Sequence, residues 1–272
     1  MTTVLCGSIS ALPSPLGRAM HEAGYAALGL DFVYVPFQVA DVAGALTGMR
    51  ALGIRGFGVS MPFKRTVIPL LDALDPLAER IGAVNTIVND GGRLTGYNTD
   101  AVGARRAVEE LFTPTDRRVI VIGAGGAARA VAFALLEAGA AVCLANRTRA
   151  NAEALAAHLA VLTGRTVPVL DLEAPPPAVE LVVNASSGGM QGVSAENPVP
   201  AAFLDAADVV MDIVYKPIET ALVRAARERK KRVIHGGRML LHQAAAQFEL
   251  YTGRPAPLEA MDGALEATLP RA

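Results

Sequence analysis

Short runs rich in β-branched and aromatic residues alternate along this chain with longer stretches whose apolar positions recur at helical spacing. That alternation reads as strands interleaved with helices. Strands are expected at 4–7, 32–37 and 56–60, with helices over 14–28 and 40–52 between them. Pro13 and Pro15 stiffen the loop ahead of the first helix, which Ser14 or Pro15 opens. A further helix is expected to begin in Met61-Pro62-Phe63-Lys64. Strands 83–89 and 93–98 flank Asp90-Gly91-Gly92, a hairpin signal. The first third therefore reads as a mixed α/β layer. A helix from Thr99 and Asp100 to about Leu111 and a turn-rich connector, Thr113-Pro114-Thr115-Asp116, lead into a more regular half. There strands are expected at 119–122, 141–145, 167–170, 181–184, 209–214 and 232–234, with helices over 127–138, 150–162 and 219–231. Such alternation implies parallel strands, right-handed crossovers and a doubly wound sheet. A last helix, 238–251, follows Gly236-Gly237 and is expected to return to the first domain.

The regular half opens on Arg118-Val-Ile-Val-Ile-Gly-Ala-Gly-Gly-Ala-Ala-Arg-Ala130. Four β-branched residues suit a strand buried on both faces. Gly123-Ala124-Gly125-Gly126-Ala127-Ala128 fits G-x-G-x-x-G/A between that strand and a helix, the context that gives the motif meaning. Gly123 makes the tight turn, Gly125 lets backbone approach a pyrophosphate, and Ala128 lets helix pack closely on strand. The helical N–H groups then face the phosphates. The chain is thus expected to be α/β with two domains. Residues 1–100 plus 237–272 form the substrate and catalytic domain, and 101–236 form a Rossmann-type dinucleotide-binding domain.

Composition narrows the function. Over 272 residues, 52% are apolar, 19% are charged and the net charge is −1. That balance suits a soluble globular protein and gives no electrostatic footing for nucleic acid or a membrane surface. The chain start lacks the basic-then-apolar layout of a signal peptide. Cys6 and Cys143 fall in core strands and read as small buried hydrophobes rather than a disulfide. A cytoplasmic location and a monomer or homodimer are expected. His21, His158, His235 and His242 show no ligand spacing, so no metal is expected.

The residue that selects the nicotinamide cofactor lies about 20 positions past the glycine loop, where an acid would bind the ribose 2′-OH of NAD. Here the strand ends Ala145-Asn146-Arg147-Thr148-Arg149. Arg147 and Arg149 can fork onto a 2′-phosphate, and Asn146 and Thr148 add neutral donors. Arginine at a helix start opposes the dipole unless it serves an anion. The cofactor expected is NADP(H).

Three segments of the first domain put polar groups at strand ends: Val59-Ser60-Met61-Pro62-Phe63-Lys64, Ile81-Gly82-Ala83-Val84-Asn85-Thr86 and Tyr97-Asn98-Thr99-Asp100. With the glycine loop, the Asn146-Arg147-Thr148 turn, Asn184-Ala-Ser-Ser-Gly-Gly-Met190 and Gly237-Arg-Met-Leu-Leu-His-Gln243, they resemble the shikimate dehydrogenase family in order over nearly the whole chain. The resemblance implies Lys64 and Asp100 as the catalytic pair and Asn85 and Ser60 as contacts to ring hydroxyls. It brings Gln243 in from the C-terminal helix, and sets Tyr215, Gly237 and Met239 at the nicotinamide. The implied reaction is NADP-dependent interconversion of 3-dehydroshikimate and shikimate, a step of aromatic amino acid biosynthesis. Reducing a ketone needs a proton donor at oxygen while hydride arrives at carbon, and the reverse needs a base there. Lys64 as ammonium fits the first role, with Asp100 orienting it. Without the family, Lys64 would be a solvated lysine and Asp100 a first-turn residue beside Thr99.

One loop departs from the pattern. The family presents Ser-x-Ser-Pro there to grip a substrate carboxylate. This chain has Leu12-Pro13-Ser14-Pro15, so Ser14 remains and Leu12 replaces the first hydroxyl. Losing one hydrogen bond to a charged group costs on the order of 1.5–3 kcal/mol. The substitution points to the shikimate dehydrogenase-like branch, and leaves two alternatives to shikimate turnover. One is the same chemistry on quinate or another cyclic hydroxy-acid. The other is a non-catalytic NADP(H)-binding sensor.

Overall fold

The computed structural model describes residues 3–269. Strand β1 (Val4–Ser10) runs parallel between β2 (Phe32–Gln38) and β3 (Gly56–Val59). The crossovers are α1 (Pro15–Ala27) and α2 (Val42–Ala51). Both begin where a side chain can satisfy an orphan amide: Ser14 accepts from Leu16 N at 3.4 Å, and Asp41 from Gly44 N at 3.0 Å. Next come β4 (Ala73–Leu74), α3 (Pro76–Ile81), β5 (Thr86–Asp90) and β6 (Arg93–Tyr97). Gly91 and Gly92 sit at φ 62° and 96°, the positive values that a two-residue hairpin of this hand requires. The sheet order is β2-β1-β3-β5-β6-β4, with β5 antiparallel to β3 and β6.

The helix expected at Lys64 does not form. Residues 61–67 make consecutive turns, with Phe63 N donating to Ser60 O and Val67 N to Phe63 O. Pro62 and Pro69 supply no amide hydrogen and leave too short a stretch between them for a regular helix. A 3-10 turn, Ile68–Leu70, follows instead.

After α4 (Thr99–Glu109) the second sheet begins with β7 (Arg118–Ile122), α5 (Gly126–Glu137), β8 (Ala141–Ala145), α6 (Arg149–Thr163) and β9 (Val169–Leu170). It continues with β10 (Val179–Asn184), α7 (Ala201–Asp205), β11 (Ala207–Asp212), α8 (Ala221–Glu228) and β12 (Arg232–Ile234). All six strands are parallel in the order β12-β11-β10-β7-β8-β9. The chain winds outward from β7 to one edge, then returns to β10 and winds to the other. This is the Rossmann arrangement, and its ligand crevice lies at the carboxyl ends of β7 and β10. Both strands are buried on both faces over Val119–Ile122 and Leu181–Val183, which explains the aliphatic runs there.

Helices α9 (Gly236–Thr252) and α10 (Leu258–Thr268) end the chain. Two compact units result. One takes in the described residues up to Thr99 together with Leu241–Leu269, and the other is Asp100–Leu240. Most of α9 thus belongs to the first unit. There Phe248 and Tyr251 stack on His21 of α1, and Arg55 donates to the Leu250 and Tyr251 carbonyls at the helix end. Cys6 and Cys143 are free thiols. No helix among the described residues is long and apolar enough to cross a membrane.

Candidate active site

Strand order sets the substrate side. β1 and β3 are parallel and adjacent, so their carboxyl ends leave the first sheet side by side. The loop after β1 carries Leu12 and Ser14, and the turn after β3 carries Ser60 and Lys64. Ala11 N donates to Met61 O at 3.4 Å across them. β5 is antiparallel, so its start, at Asn85 and Thr86, falls at the same end. Val59 N donates to Asn85 O at 2.7 Å, and Val84 N donates to Lys64 O at 2.8 Å. The carboxyl end of β6 then brings in Asn98 and Thr99. One edge of one sheet thus gathers all three segments singled out by sequence.

Within this edge Asn85 is the hub. It is 2% exposed, and its Oδ1 accepts from Thr99 N at 2.7 Å and from Thr86 Oγ1 at 2.9 Å. Its Nδ2 donates to Thr99 Oγ1 at 2.9 Å. Asn98 Nδ2 donates to Ala83 O at 3.0 Å. Lys64 is half-buried and Ser60 exposed. Ser14 caps α1 with its oxygen, so its hydroxyl hydrogen remains for another acceptor. Gln243 is half-buried on α9. Sequence reading passed over Gln247, one turn further on. Its Nε2 donates to Asn85 O at 3.3 Å and to Thr86 Oγ1 at 3.0 Å. The available signal was a second polar residue four positions after Gln243 on an otherwise apolar stretch, which puts both on one helix face.

Leu12 is 84% exposed and Met61 63% exposed, so the rim beside Ser14 and Ser60 is apolar. Arg18, the nearest candidate to replace a lost donor by sequence, pairs instead with Glu22 at 2.8 Å.

The second unit carries the nucleotide motif. Gly123 has φ 125°, and a Cβ there would lie 2.8 Å from the Ala185 carbonyl oxygen. Only glycine fits where β7 and β10 part. Nothing crowds the Cβ position of Gly125 or Gly126, which are exposed at the start of α5, with Ala124 and Ala127 half-buried beside them. The turn therefore leaves bare helical N–H groups at the topological switch point, a fit for a pyrophosphate. At the end of β8, Asn146 Nδ2 donates to the Thr148 carbonyl at 2.9 Å, shaping the turn that exposes Arg147, Thr148 and Arg149.

A second network, also unread in sequence, orders the loops after β10 and β11. Buried Asp212 accepts from Asn184 Nδ2 at 2.9 Å, Val214 N at 3.0 Å and Thr220 Oγ1 at 2.6 Å. Burial pushes its carboxyl above the usual range, against the pull of these donors. Asn184 Oδ1 accepts in turn from Ser186 N and Oγ at 3.0 and 2.7 Å. The ordered stretch past Asp212 presents Tyr215, whose phenol is raised by burial and by the nearby carboxylate of Asp100. Asp100 itself is 2% exposed in the first turn of α4. Gly237 and Met239 are buried in the first turn of α9, and a Cβ at the preceding Gly236 would lie 2.3 Å from the Val214 carbonyl oxygen. Among the described residues no group of three His, Cys, Asp or Glu could hold a metal ion.

Known proteins match this architecture along the chain. A family model for the shikimate dehydrogenase substrate binding domain matches residues 8–87. The shikimate/quinate 5-dehydrogenase model matches 105–215, and the shikimate 5′-dehydrogenase C-terminal domain matches 236–266. The shikimate dehydrogenase (NADP(+)) of Moorella thermoacetica is 47% identical over 93% of this chain and 89% of its own. A shikimate dehydrogenase-like protein of Haemophilus influenzae is 41% identical over 92% of this chain and 91% of its own. A crystal structure of a shikimate dehydrogenase in complex with NADP+ superimposes with a TM-score of 0.91 at 36% identity, covering 99% of this chain and 96% of the other. With both halves and the closing helices matched, this chain belongs to the shikimate dehydrogenase family.

Proposed function

We propose that this chain catalyses the NADP-dependent interconversion of 3-dehydroshikimate and shikimate by hydride transfer. The observation that carries the reading is the hydrogen-bonded convergence of the Leu12–Ser14 loop, the Lys64 turn, Asn85 and Thr99 at one sheet edge. It supports a site for a small polyhydroxylated ring, with Asn85 and Ser60 on ring hydroxyls and Ser14 and Gln243 as further contacts. Lys64 as ammonium donates a proton to the ketone oxygen during reduction and takes it back in oxidation. Asp100, next in chain to Thr99, accepts from a neighbouring hydroxyl. When bound, the nicotinamide supplies or receives the hydride. Gly123 to Ala127 would hold the pyrophosphate, Arg147 and Arg149 the 2′-phosphate with Asn146 and Thr148, and Tyr215, Gly237 and Met239 would border the nicotinamide. The free thiols Cys6 and Cys143 support a cytoplasmic setting.

The apolar rim formed by Leu12 and Met61 supports a second reading, the same chemistry on quinate or another cyclic hydroxy-acid. Steady-state rates with NADP+ and NAD+ against shikimate, quinate and their amino analogues separate the two. The expected result is NADP+ reduction with shikimate, and Lys64→Ala lowering kcat about 10²–10⁴-fold with NADP+ binding retained. A Lys64→Ala enzyme within a few-fold of wild type would refute the catalytic assignment. Cofactor binding without turnover of any acid in the panel would establish a sensor instead.

A further inference from the structure

Gln247 lies buried on α9, outside every role assigned so far, yet it is tied into the Asn85 cluster from behind. The orientation of both amides is fixed by backbone groups. Gln247 Nε2 faces the Asn85 carbonyl oxygen, which can only accept, so that atom is nitrogen. Asn85 Oδ1 faces Thr99 N, which can only donate, so that atom is oxygen. Thr86 joins them: its hydroxyl accepts from Gln247 Nε2 at 3.0 Å and donates to Asn85 Oδ1 at 2.9 Å. A continuous relay, Gln247 to Thr86 to Asn85, therefore pins the Asn85 oxygen inward. What Asn85 offers to a ligand is its amino end.

The space around Gln247 is built to keep it in place. A Cβ at Gly58 would lie 3.2 Å from Tyr34 Oη and 3.4 Å from Gln247 Nε2, so the bare glycine of β3 is what seats both groups. His21 stacks on Tyr34 with ring centroids 4.4 Å apart and planes 6° apart. It also faces the Gln247 amide, although neither ring nitrogen reaches hydrogen-bond geometry. Burial keeps His21 neutral, so the amide meets no charge there.

We propose that Gln247 is a positioning residue for the substrate site: acting through Thr86, it holds the Asn85 amide so that an N–H, not a carbonyl, meets a hydroxyl oxygen of the ring substrate. The inference rests on the reading of Asn85 as a substrate contact. Were the relay cut, Thr86 could turn its hydroxyl away, leaving the Asn85 oxygen only its two donors on Thr99, the amide at 2.7 Å and the hydroxyl at 3.2 Å. Held from one side alone, the amide would swing about that contact and carry its N–H out of line with the ring hydroxyl.

The test is kinetic, with shikimate, or whichever acid of the panel is turned over, as the variable substrate at saturating NADP+. Gln247→Met keeps length and apolar packing but removes the donor. It should raise KM about tenfold, the loss of one hydrogen bond, with kcat within about threefold and NADP+ affinity unchanged. Thr86→Val should raise KM similarly, and Thr86→Ser, which keeps the hydroxyl, should recover most of that loss. Combining Gln247→Met with Thr86→Val should add little, because both cut the same relay. Independent, multiplicative effects would overturn the proposal. So would a parallel fall of kcat, substrate affinity, NADP+ affinity and melting temperature, the signature of a merely structural role. If Gln247→Met does not fold, equal KM values for Thr86→Val and Thr86→Ser overturn it as well. Asn85→Ala separates the two layers. No change in KM there removes the substrate role of Asn85 and the proposal with it. A raised KM there beside an unchanged one in Gln247→Met removes the proposal alone.

Discussion

Arg147 and Arg149 stand two residues apart at the entry to α6, but their surroundings differ. Arg149 Nε is held by Glu153 at 2.8 Å, one helical turn on, and its second guanidinium nitrogen lies 3.4 Å from the Val169 carbonyl. Arg147 is exposed and makes no ion pair among the described residues. An exposed pair such as Arg149–Glu153 contributes only about 0–1 kcal/mol, so a phosphate can compete for Arg149, at some cost. Arg147 has no such partner to give up. We therefore expect Arg147→Ala to weaken NADP+ about 10–100-fold, in line with the loss of charged hydrogen bonds, while NAD+ affinity stays within a few-fold. Arg149→Ala should show the same selectivity with a smaller loss. Titration calorimetry with both cofactors decides it, and equal losses for NADP+ and NAD+ would mean that these arginines do not read the 2′-phosphate.

The turn between β7 and α5 uses two glycines for different reasons. Gly123 is required by the protein itself, because φ 125° and the Ala185 carbonyl leave no place for a Cβ. Gly125 has negative φ and open space, so the fold itself makes no demand for glycine there. Gly123→Ala should therefore destabilise the second unit by on the order of 1–3 kcal/mol, seen in denaturant unfolding. Gly125→Ala should keep the melting temperature and lose at least about tenfold in NADP+ affinity. A Gly125→Ala protein with unaltered cofactor affinity would show that no phosphate packs on this turn. Elements of this kind were legible beforehand because each rests on local chemistry. The β7 run, the glycine turn and the Gly91-Gly92 hairpin carry their geometry in adjacent residues. The Lys64 turn departs from the helix expected there because Pro69, five residues beyond Lys64, shortens the stretch from its far end. Short α3, α7 and the closing α10 were passed over for want of length or of a strong period. The Gln247–Thr86–Asn85 relay and the Asn184–Asp212–Thr220 network could not be read at all. Their members are far apart in sequence and meet only once the strands are paired.

At the scale of the chain, the first unit is assembled from the two ends of the sequence, and one aromatic layer joins them. Tyr34 of β2 and Phe248 and Tyr251 of α9 stack on the buried His21 imidazole of α1, with Tyr25 tilted beside it and stacked on Phe248. The groups facing His21 are neutral between pH 4 and 7. Burial raises the Tyr25, Tyr34 and Tyr251 phenols, and the adjacent Cys6 thiol is pushed up to about 11. Among the described residues no anion offsets the cost of charging the ring, and burial lowers its pKa from 6.5 to about 4. Between those values the unfolded chain binds a proton that the native one does not, so stability rises with pH across that window. It is fully present above pH 6.5 and is lost as pH falls toward 4, with a total swing of roughly 3 kcal/mol. Urea unfolding at pH 7 and pH 5 should therefore show wild type losing about 2 kcal/mol more than His21→Phe, a substitution that keeps an aromatic ring in the stack but cannot titrate. Because His21 faces the Gln247 amide, the same acid step should loosen the closure of this unit before the second unit responds. Parallel stability–pH curves for wild type and His21→Phe would mean that the imidazole is already charged in the native layer, or reaches water there, and that the joint between the two chain ends is not acid-sensitive.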